Sequence, residues 1–146
     1  MEDDFAIFTL LKSTFQGKYS FVRYVSFLPQ GWKGTAEFSE ALVTARIPYQ
    51  EKGFYFLGSE IQEFYQERFF QINEGGFIIL KQDAMILHTF STPHFSEKGI
   101  FYSHVHSCGA DVYHCDFFIQ THQFQTFYTI QGPKKNFSIH TFYSVL

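Results

Sequence analysis

The spacing of hydrophobic residues is the sequence feature that most restricts the fold of this chain of 146 residues. From Gly17 onward, apolar and polar residues alternate in short segments rich in Phe, Tyr, Ile, Val and Thr. A period of two in such residues indicates half-buried β-strands. Before these segments, Phe5, Phe8 and Leu11 recur at three-residue steps, which predicts one short helix over 4–13.

Turn-forming residues separate the alternating segments. Stretches such as Asn73–Gly76 and Gly132–Asn136 contain the Gly, Pro and Asn residues that tight turns need. Because the links are short, successive strands are expected to pair antiparallel. The predicted strands are Gly17–Leu28, Lys33–Ala41, Ala45–Leu57, Ile61–Ile72, Phe77–Gln82, Met85–Phe90, Gly99–His106, Asp111–Gln120, Gln125–Gln131 and Asn136–Val145.

The number of predicted strands favours a curled sheet, since an open sheet would leave two unpaired edges exposed. The predicted fold is therefore all-β: an antiparallel up-and-down β-barrel of about eight to ten strands, closed on itself, with the short helix at one end. We expect a single barrel domain over 1–146, with the barrel strands over 17–145. Ser91–Gly99, which contains a proline, is the segment that we expect to be a mobile loop.

Charge and composition argue against several classes of function. Lys and Arg total 11 against 14 Asp and Glu, a formal charge of -3, so no basic field for nucleic acid or anionic lipid is expected. No apolar stretch approaches the length of a membrane span. The acidic start, Met1–Asp4, is unlike a secretory signal, which predicts a cytoplasmic protein. Cys108 and Cys115 match no zinc or redox spacing and are expected to be reduced thiols.

Polar residues interrupt the apolar faces of several predicted strands, and these exceptions are the candidate ligand-binding residues. Buried charges must be paired or hydrated. They could form a self-satisfied network, or they could be the polar anchors of an apolar pocket. The two interpretations differ in whether space remains between the members. The residues expected to converge inside the barrel are Arg23, Tyr49, Glu51, His88, His106, Asp111 and Tyr113.

The spacing of several motifs resembles that of a family of small bacterial proteins, grouped as a domain of unknown function. The stretch His106–Tyr113 is similar to the family's His-x-Cys-x-x-Asp-x-Tyr. Phe15–Tyr19, followed by Arg23, resembles its opening Leu-x-Gly-x-Trp and later Arg, and Gly132–Phe137 resembles its Gly-Pro-Arg-Lys-Asp-Tyr turn. The resemblance implies a closed calycin-like barrel of the lipocalin or nitrobindin kind. It implies no activity.

Binding of a small molecule without catalysis is the function that these residues favour. The guanidinium of Arg23 would offer charge and fork geometry to a carboxylate or phosphate. Phe and Tyr rings would contact the rest of the molecule. The predicted ligand is small, partly apolar and acidic.

Three alternatives stay open beside a purely structural polar core. A cofactor-free acid–base enzyme, a lyase or isomerase, would use His106, Asp111 and Tyr113, with Glu51 as a further acid. A metal site would draw on His88, His106 and Asp111. Non-covalent haem would take His88 or His106 as its axial ligand. We predict no metal and no cofactor.

The abundance of phenylalanine, 21 residues, also bears on partners. An apolar patch on an outer face usually marks a protein contact. The residues that we expect on outer faces are Phe69, Phe70, Phe118 and Phe142. The sequence therefore allows a homodimer, beside the small-molecule ligand.

Overall fold

The structure, a computed structural model, describes residues 2–41 and 45–146, with side chains from Asp4 onward. In these ranges the chain forms one helix and eleven strands. The bounds are α1 Glu2–Thr14, β1 Gly17–Val25, β2 Trp32–Phe38, β3 Arg46–Leu57, β4 Glu60–Asn73, β5 Gly76–Leu80, β6 Ile86–Phe90, β7 His94–Ser96, β8 Gly99–Cys108, β9 Asp111–Gln120, β10 Gln123–Gln131 and β11 Asn136–Val145. The predicted helix and ten predicted strands are all present. The added strand is β7, which lies in the segment predicted to be a loop.

The strands form one antiparallel sheet that curls into a half-barrel, so the predicted all-β class and its N-terminal helix are confirmed. The hydrogen-bonded order is β6-β5-β4-β3-β2-β1-β11-β10-β9-β8-β7. Neighbours along the chain are neighbours in the sheet, except that β6 and β7 lie at its two ends and that β1 pairs with β11, which joins the two halves. Chain order therefore sets nearly all of the topology, as short turns require.

Two facing glycines let the backbones of β2 and β3 approach closely. Gly34 pairs with Gly53, and a Cβ on Gly34 would lie 2.3 Å from the carbonyl oxygen of Lys52. A Cβ on Gly53 would lie 2.2 Å from the carbonyl oxygen of Lys33. The ring of Phe21 lies directly over Gly34. Any side chain at either position would push these strands apart.

The two ends of the sheet meet through side chains, whereas full closure of the barrel was expected. In the described part of the chain, β6 and β7 are the ends of the hydrogen-bonded ladder. Phe90 of β6 packs against Tyr102 of β8, with ring centroids 6.3 Å apart. The Tyr102 hydroxyl donates to the carbonyl oxygen of Gly75 at 3.0 Å. Short β7 occupies one edge of β8, so ring packing rather than a ladder joins β6 to β8. We call this junction the seam.

The helix covers one end of the half-barrel, against β4 and β5. Ile7 and Leu11 of α1 are buried, as is Phe15 just after it. The Phe15 ring lies 4.8 Å from that of Phe77 and 4.9 Å from that of Phe70, measured between centroids. Aromatic rings from most strands continue this core, which makes the helix end of the barrel solid. No helix in the described ranges is long and apolar enough to cross a membrane.

Four phenylalanines were predicted to lie on the outer face of the sheet, and the structure agrees for three of them. Phe142 is 43% exposed, while Phe69 and Phe118 are half-buried. The prediction is wrong for Phe70, which is buried and faces inward. Strand alternation explains this, because Phe70 shares the face of Phe64 on β4, and that face points into the barrel.

The burial of α1 leads to a test of the helix as part of the core. Leu11→Ala should lower the free energy of unfolding by about 2–5 kcal/mol, since it opens a cavity under the helix. Phe5→Ala on the same helix is the control. Phe5 is 74% exposed, so its loss should change stability by no more than about 0.5 kcal/mol. Urea denaturation followed by fluorescence measures both, and equal effects would show that α1 is not anchored.

Candidate functional site

The barrel contains a cavity of about 720 Å³ between the packed helix end and the opposite rim. This volume is typical of small-molecule sites. Six of the seven residues predicted to converge inside the barrel line it. They are Arg23, Tyr49, Glu51, His88, His106 and Tyr113. The network and the space between its members therefore exist together.

Arg23 and Glu51 form a buried ion pair with fork geometry. Arg23 Nη1 donates to Glu51 Oε1 at 2.8 Å, and Nη2 donates to Oε2 at 2.9 Å. The side chains are 11% and 2% exposed. Strand β2 runs between them, and its inward residues at this point are Gly34 and Ala36. These small residues let the arginine reach over β2 to the carboxylate.

Three hydroxyl groups complete the hydrogen bonding of the ion pair. The Tyr49 hydroxyl donates to Glu51 Oε2 at 2.5 Å. Tyr143 accepts from Arg23 Nη2 at 3.1 Å, and Thr141 Oγ1 accepts from Arg23 Nε at 2.9 Å. Burial, together with the negative charge of Glu51, raises the pKa of Tyr143 to about 12. Both tyrosines therefore stay neutral at pH 7.

The predicted role of Arg23 changes in light of these contacts. Burial opposes the charge on Arg23, but Tyr143 and Glu51 outweigh it, and the pKa of Arg23 is raised. The face of its guanidinium also lies 4.7 Å from the centre of the Phe21 ring. Because Glu51 takes both ends of the fork, Arg23 is already neutralised. It shapes the cavity and is not a free anchor for an acid.

A second arginine, Arg68 of β4, lines the same cavity, and the strand patterns examined in the sequence did not identify it. Its Nη1 donates to the carbonyl oxygen of Glu67 at 2.7 Å. Its Nη2 donates to the side-chain oxygen of Gln66 at 2.6 Å when that amide is oriented to donate to Glu51 Oε1 at 2.8 Å. Both acceptors are neutral. The sequence nevertheless contains the alternation that places Arg68 on the inward face. That face of β4 carries Phe64, Gln66, Arg68 and Phe70.

Cations predominate among the charged residues of the wall. Arg23, Arg68 and Lys81 line the cavity in the described structure, and Glu51 is the one carboxylate that does so. Glu51 is committed to Arg23. The cavity is therefore positive although the whole chain has a formal charge of -3.

Three histidines lie together where β6 meets β8 at the seam. His88 Nδ1 lies 3.2 Å from His104 Nδ1, and the His106 ring is centred 6.4 Å from each of the other two rings. Burial, then the nearby His104, His106 and Arg68, lowers the pKa of His88 to about 4. Burial and His106 also lower the pKa of His104. His88 is therefore a neutral imidazole at pH 7.

His106, one of these three histidines, also forms a polar patch with Tyr113 on the cavity wall. The two residues are paired across β8 and β9, and their ring centroids are 5.5 Å apart. Deeper in the same wall, Tyr128 contacts the buried thiol of Cys115, and burial raises the pKa of that thiol to about 12. Cys115 is consequently an unreactive core residue, and Cys108 is exposed at the rim. Both cysteines are free thiols.

Asp111 is the predicted site residue that does not line the cavity. It begins β9 directly after a turn, and its carboxylate lies against Gly132 in the turn before β11. Lys135 Nζ is 4.0 Å from Asp111 Oδ2. No hydrogen bond joins the Asp111 carboxylate to His106 or Tyr113 in the described part of the chain. Of the three residues of the acid–base alternative, His106 and Tyr113 line the cavity and Asp111 does not.

The metal alternative also required Asp111. Across residues 2–41 and 45–146, no group of three or more His, Cys, Asp or Glu side chains is arranged to hold a metal ion. The two histidines considered for haem, His88 and His106, both face the cavity.

Trp32 contributes an unsatisfied donor to the cavity wall. Its indole Nε1 is, among the residues that the structure describes, the one buried side-chain polar atom without a hydrogen-bond partner. The ring stacks on Tyr55 with centroids 4.2 Å apart. Leaving a buried donor unpaired costs about 1–3 kcal/mol.

Comparison with known proteins adds a family but no activity. Residues 15–145 match the model of a family described as a family of unknown function, DUF6314. Searches of the curated proteins and of the solved structures gave no match. What the cavity does must therefore be inferred from its residues.

The ion pair predicts a specific pattern of stability. Arg23→Met should lower the free energy of unfolding by about 3–5 kcal/mol, because Glu51 would stay buried without its counter-charge. Adding Glu51→Gln removes that charge, so the double variant should recover part of the loss. Urea denaturation at pH 7 measures both. A double variant less stable than Arg23→Met would contradict this account.

The neutral state of His88 predicts loss of stability in acid. The unfolded chain takes up a proton on this histidine below about pH 6.5, whereas the folded protein does so only near pH 4. The free energy of unfolding should therefore fall by about 3 kcal/mol between these pH values. His88→Phe should remove this part of the pH dependence, while His94→Gln on exposed β7 should preserve it. Denaturation curves across pH 4–7 make the comparison.

Proposed function

Since the chain belongs to the DUF6314 family of unknown function, we propose from the cavity itself that the protein binds a small, partly apolar acid in its barrel. The observation that carries this proposal is Arg68. Its guanidinium lines the cavity, and its hydrogen bonds go to two neutral oxygens. A carboxylate or phosphate would supply the missing negative charge through paired, charge-assisted bonds.

The rest of the cavity suits the apolar part of such a molecule. Aromatic rings of Phe70, Phe117 and Phe124 face the space from the packed end. Aliphatic side chains continue this surface toward the rim, among them Ile79, Leu87, Ile130 and Ile139. A few polar anchors in an apolar wall are the usual composition of a ligand site.

The electrostatic balance of the wall favours an anion over a neutral or cationic ligand. Lys81 lies at the rim and adds a second cation that has no carboxylate within ion-pair distance in the described part of the chain. The Arg23–Glu51 pair contributes no net charge. An anion entering the cavity therefore moves toward Arg68 through a favourable field.

A purely structural polar core is the competing interpretation, and it accounts for only half of the site. It explains Arg23, Glu51, Tyr49 and Tyr143, whose polar atoms satisfy one another. It gives no reason for a cavity of about 720 Å³ beside them or for a cation without a counter-charge. Ligand binding explains both.

The anchor role of Arg68 can be tested with matched ligands. 3-Phenylpropionate should bind the wild-type protein, and its uncharged amide should bind at least tenfold more weakly. Arg68→Gln should weaken binding of the acid about tenfold or more, because a charge-assisted bond contributes about 1.5–3 kcal/mol. The same substitution should leave binding of the amide unchanged. Titration calorimetry gives the dissociation constants.

Lys52→Gln is the matched control, since Lys52 is an exposed cation on the outer face of β3. It changes the net charge as Arg68→Gln does without touching the cavity, and it should leave acid binding intact. An equal loss of affinity for the acid in the two variants would show that Arg68 acts only through the net charge of the protein and not by contact with the ligand. No binding of the acid by the wild-type protein would argue against the proposal.

A further inference from the structure

His106 and Tyr113 both line the cavity, and in residues 2–41 and 45–146 no other side chain is hydrogen-bonded to this polar patch. Neither the Tyr113 hydroxyl nor a nitrogen of the His106 ring makes a side-chain hydrogen bond within the described ranges. Other cavity hydroxyls are engaged, since Tyr49 and Tyr143 bind the Arg23–Glu51 pair. The patch therefore differs from the satisfied network beside it.

Arg68 and this patch line the same cavity from different strands. Around the seam, where β8 meets β6, strands β5 and β6 separate Arg68 on β4 from His106 on β8. Tyr113, on β9, is one strand further away. Apolar side chains line the cavity beside both groups, among them Ile79 of β5 and Ile130 of β10, the cross-strand neighbour of Tyr113.

The two side chains of the patch have complementary hydrogen-bonding capacity. A neutral imidazole offers one accepting nitrogen and one donating nitrogen, and a phenol both donates and accepts. A hydroxyl group placed between them can donate to the His106 ring and accept from Tyr113. A methyl or methylene group at the same place would leave both polar groups dehydrated and unpaired, which is unfavourable.

We infer that the ligand is a hydroxy acid, with its acid group at Arg68 and a hydroxyl group, at the far end of an apolar body, at His106 and Tyr113. This inference rests on the proposed function and adds the substrate class to it. Discrimination would come from the patch, because a site built to bind a hydroxyl rejects an analogue that lacks it. The contact of the acid group with Arg68 cannot by itself distinguish a hydroxy acid from the same acid without the hydroxyl group.

The test compares two acids that differ in one hydroxyl group, 3-(4-hydroxyphenyl)propionate and 3-phenylpropionate. Calorimetry should show the wild-type protein binding the hydroxylated acid roughly five- to tenfold more tightly, the size of one good hydrogen bond. Tyr113→Phe should abolish this preference and leave the dissociation constant of 3-phenylpropionate within about twofold of its wild-type value. His106→Gln, a second variant, should reduce the preference.

Tyr24→Phe is the matched control, because Tyr24 is 54% exposed and lies on the outer face of β1. It makes the same chemical change outside the cavity and should preserve the preference. Equal affinity of wild-type protein for the two acids, or a preference that survives in both patch variants, would overturn the inference while acid binding stands. Failure of both acids to bind would overturn the proposed function together with it.

Discussion

The buried ion pair of Arg23 and Glu51 is the interaction on which the interior of this barrel depends. A charge removed from water is tolerated only when a partner and further hydrogen bonds replace its hydration. Here the carboxylate receives both ends of the guanidinium fork, a tyrosine hydroxyl and an amide, and it is 2% exposed. Because the pair spans β1 and β3 across the glycine-containing β2, it also holds these three strands together.

The same pair determines which cation remains for a ligand. Glu51 neutralises Arg23 and also holds Gln66, whose oxygen accepts from Arg68. Arg68 is thereby oriented through a neutral amide and keeps its positive charge. A satisfied structural network and an arginine without a counter-charge thus occupy adjacent positions in one wall. This coupling explains how a chain of negative net charge can hold a positive cavity.

The order of the strands could be read from the sequence, but the junction of the sheet ends could not. Alternation and turn residues identified ten strands, and short links predicted their antiparallel order, which the structure confirms. Whether the last pair of strands forms hydrogen bonds depends on edges far apart in the chain. Short β7 pairs with β8, so the contact with β6 is made by rings such as His88 and His104. No local pattern encodes that choice.

The sequence by itself determined the fold class and the inward faces, because the side of a strand on which a residue lies is a local property with a period of two. It therefore named six of the residues that line the cavity. Only the tertiary structure decided which of them satisfy one another, since Arg23 meets Glu51 and also Thr141, which lies 118 residues away. It likewise placed the Asp111 carboxylate 4.0 Å from Lys135 Nζ and, in the described ranges, left Arg68 without a carboxylate partner. Pairing of charges depends on distances between strands, and those distances exist only in the folded chain.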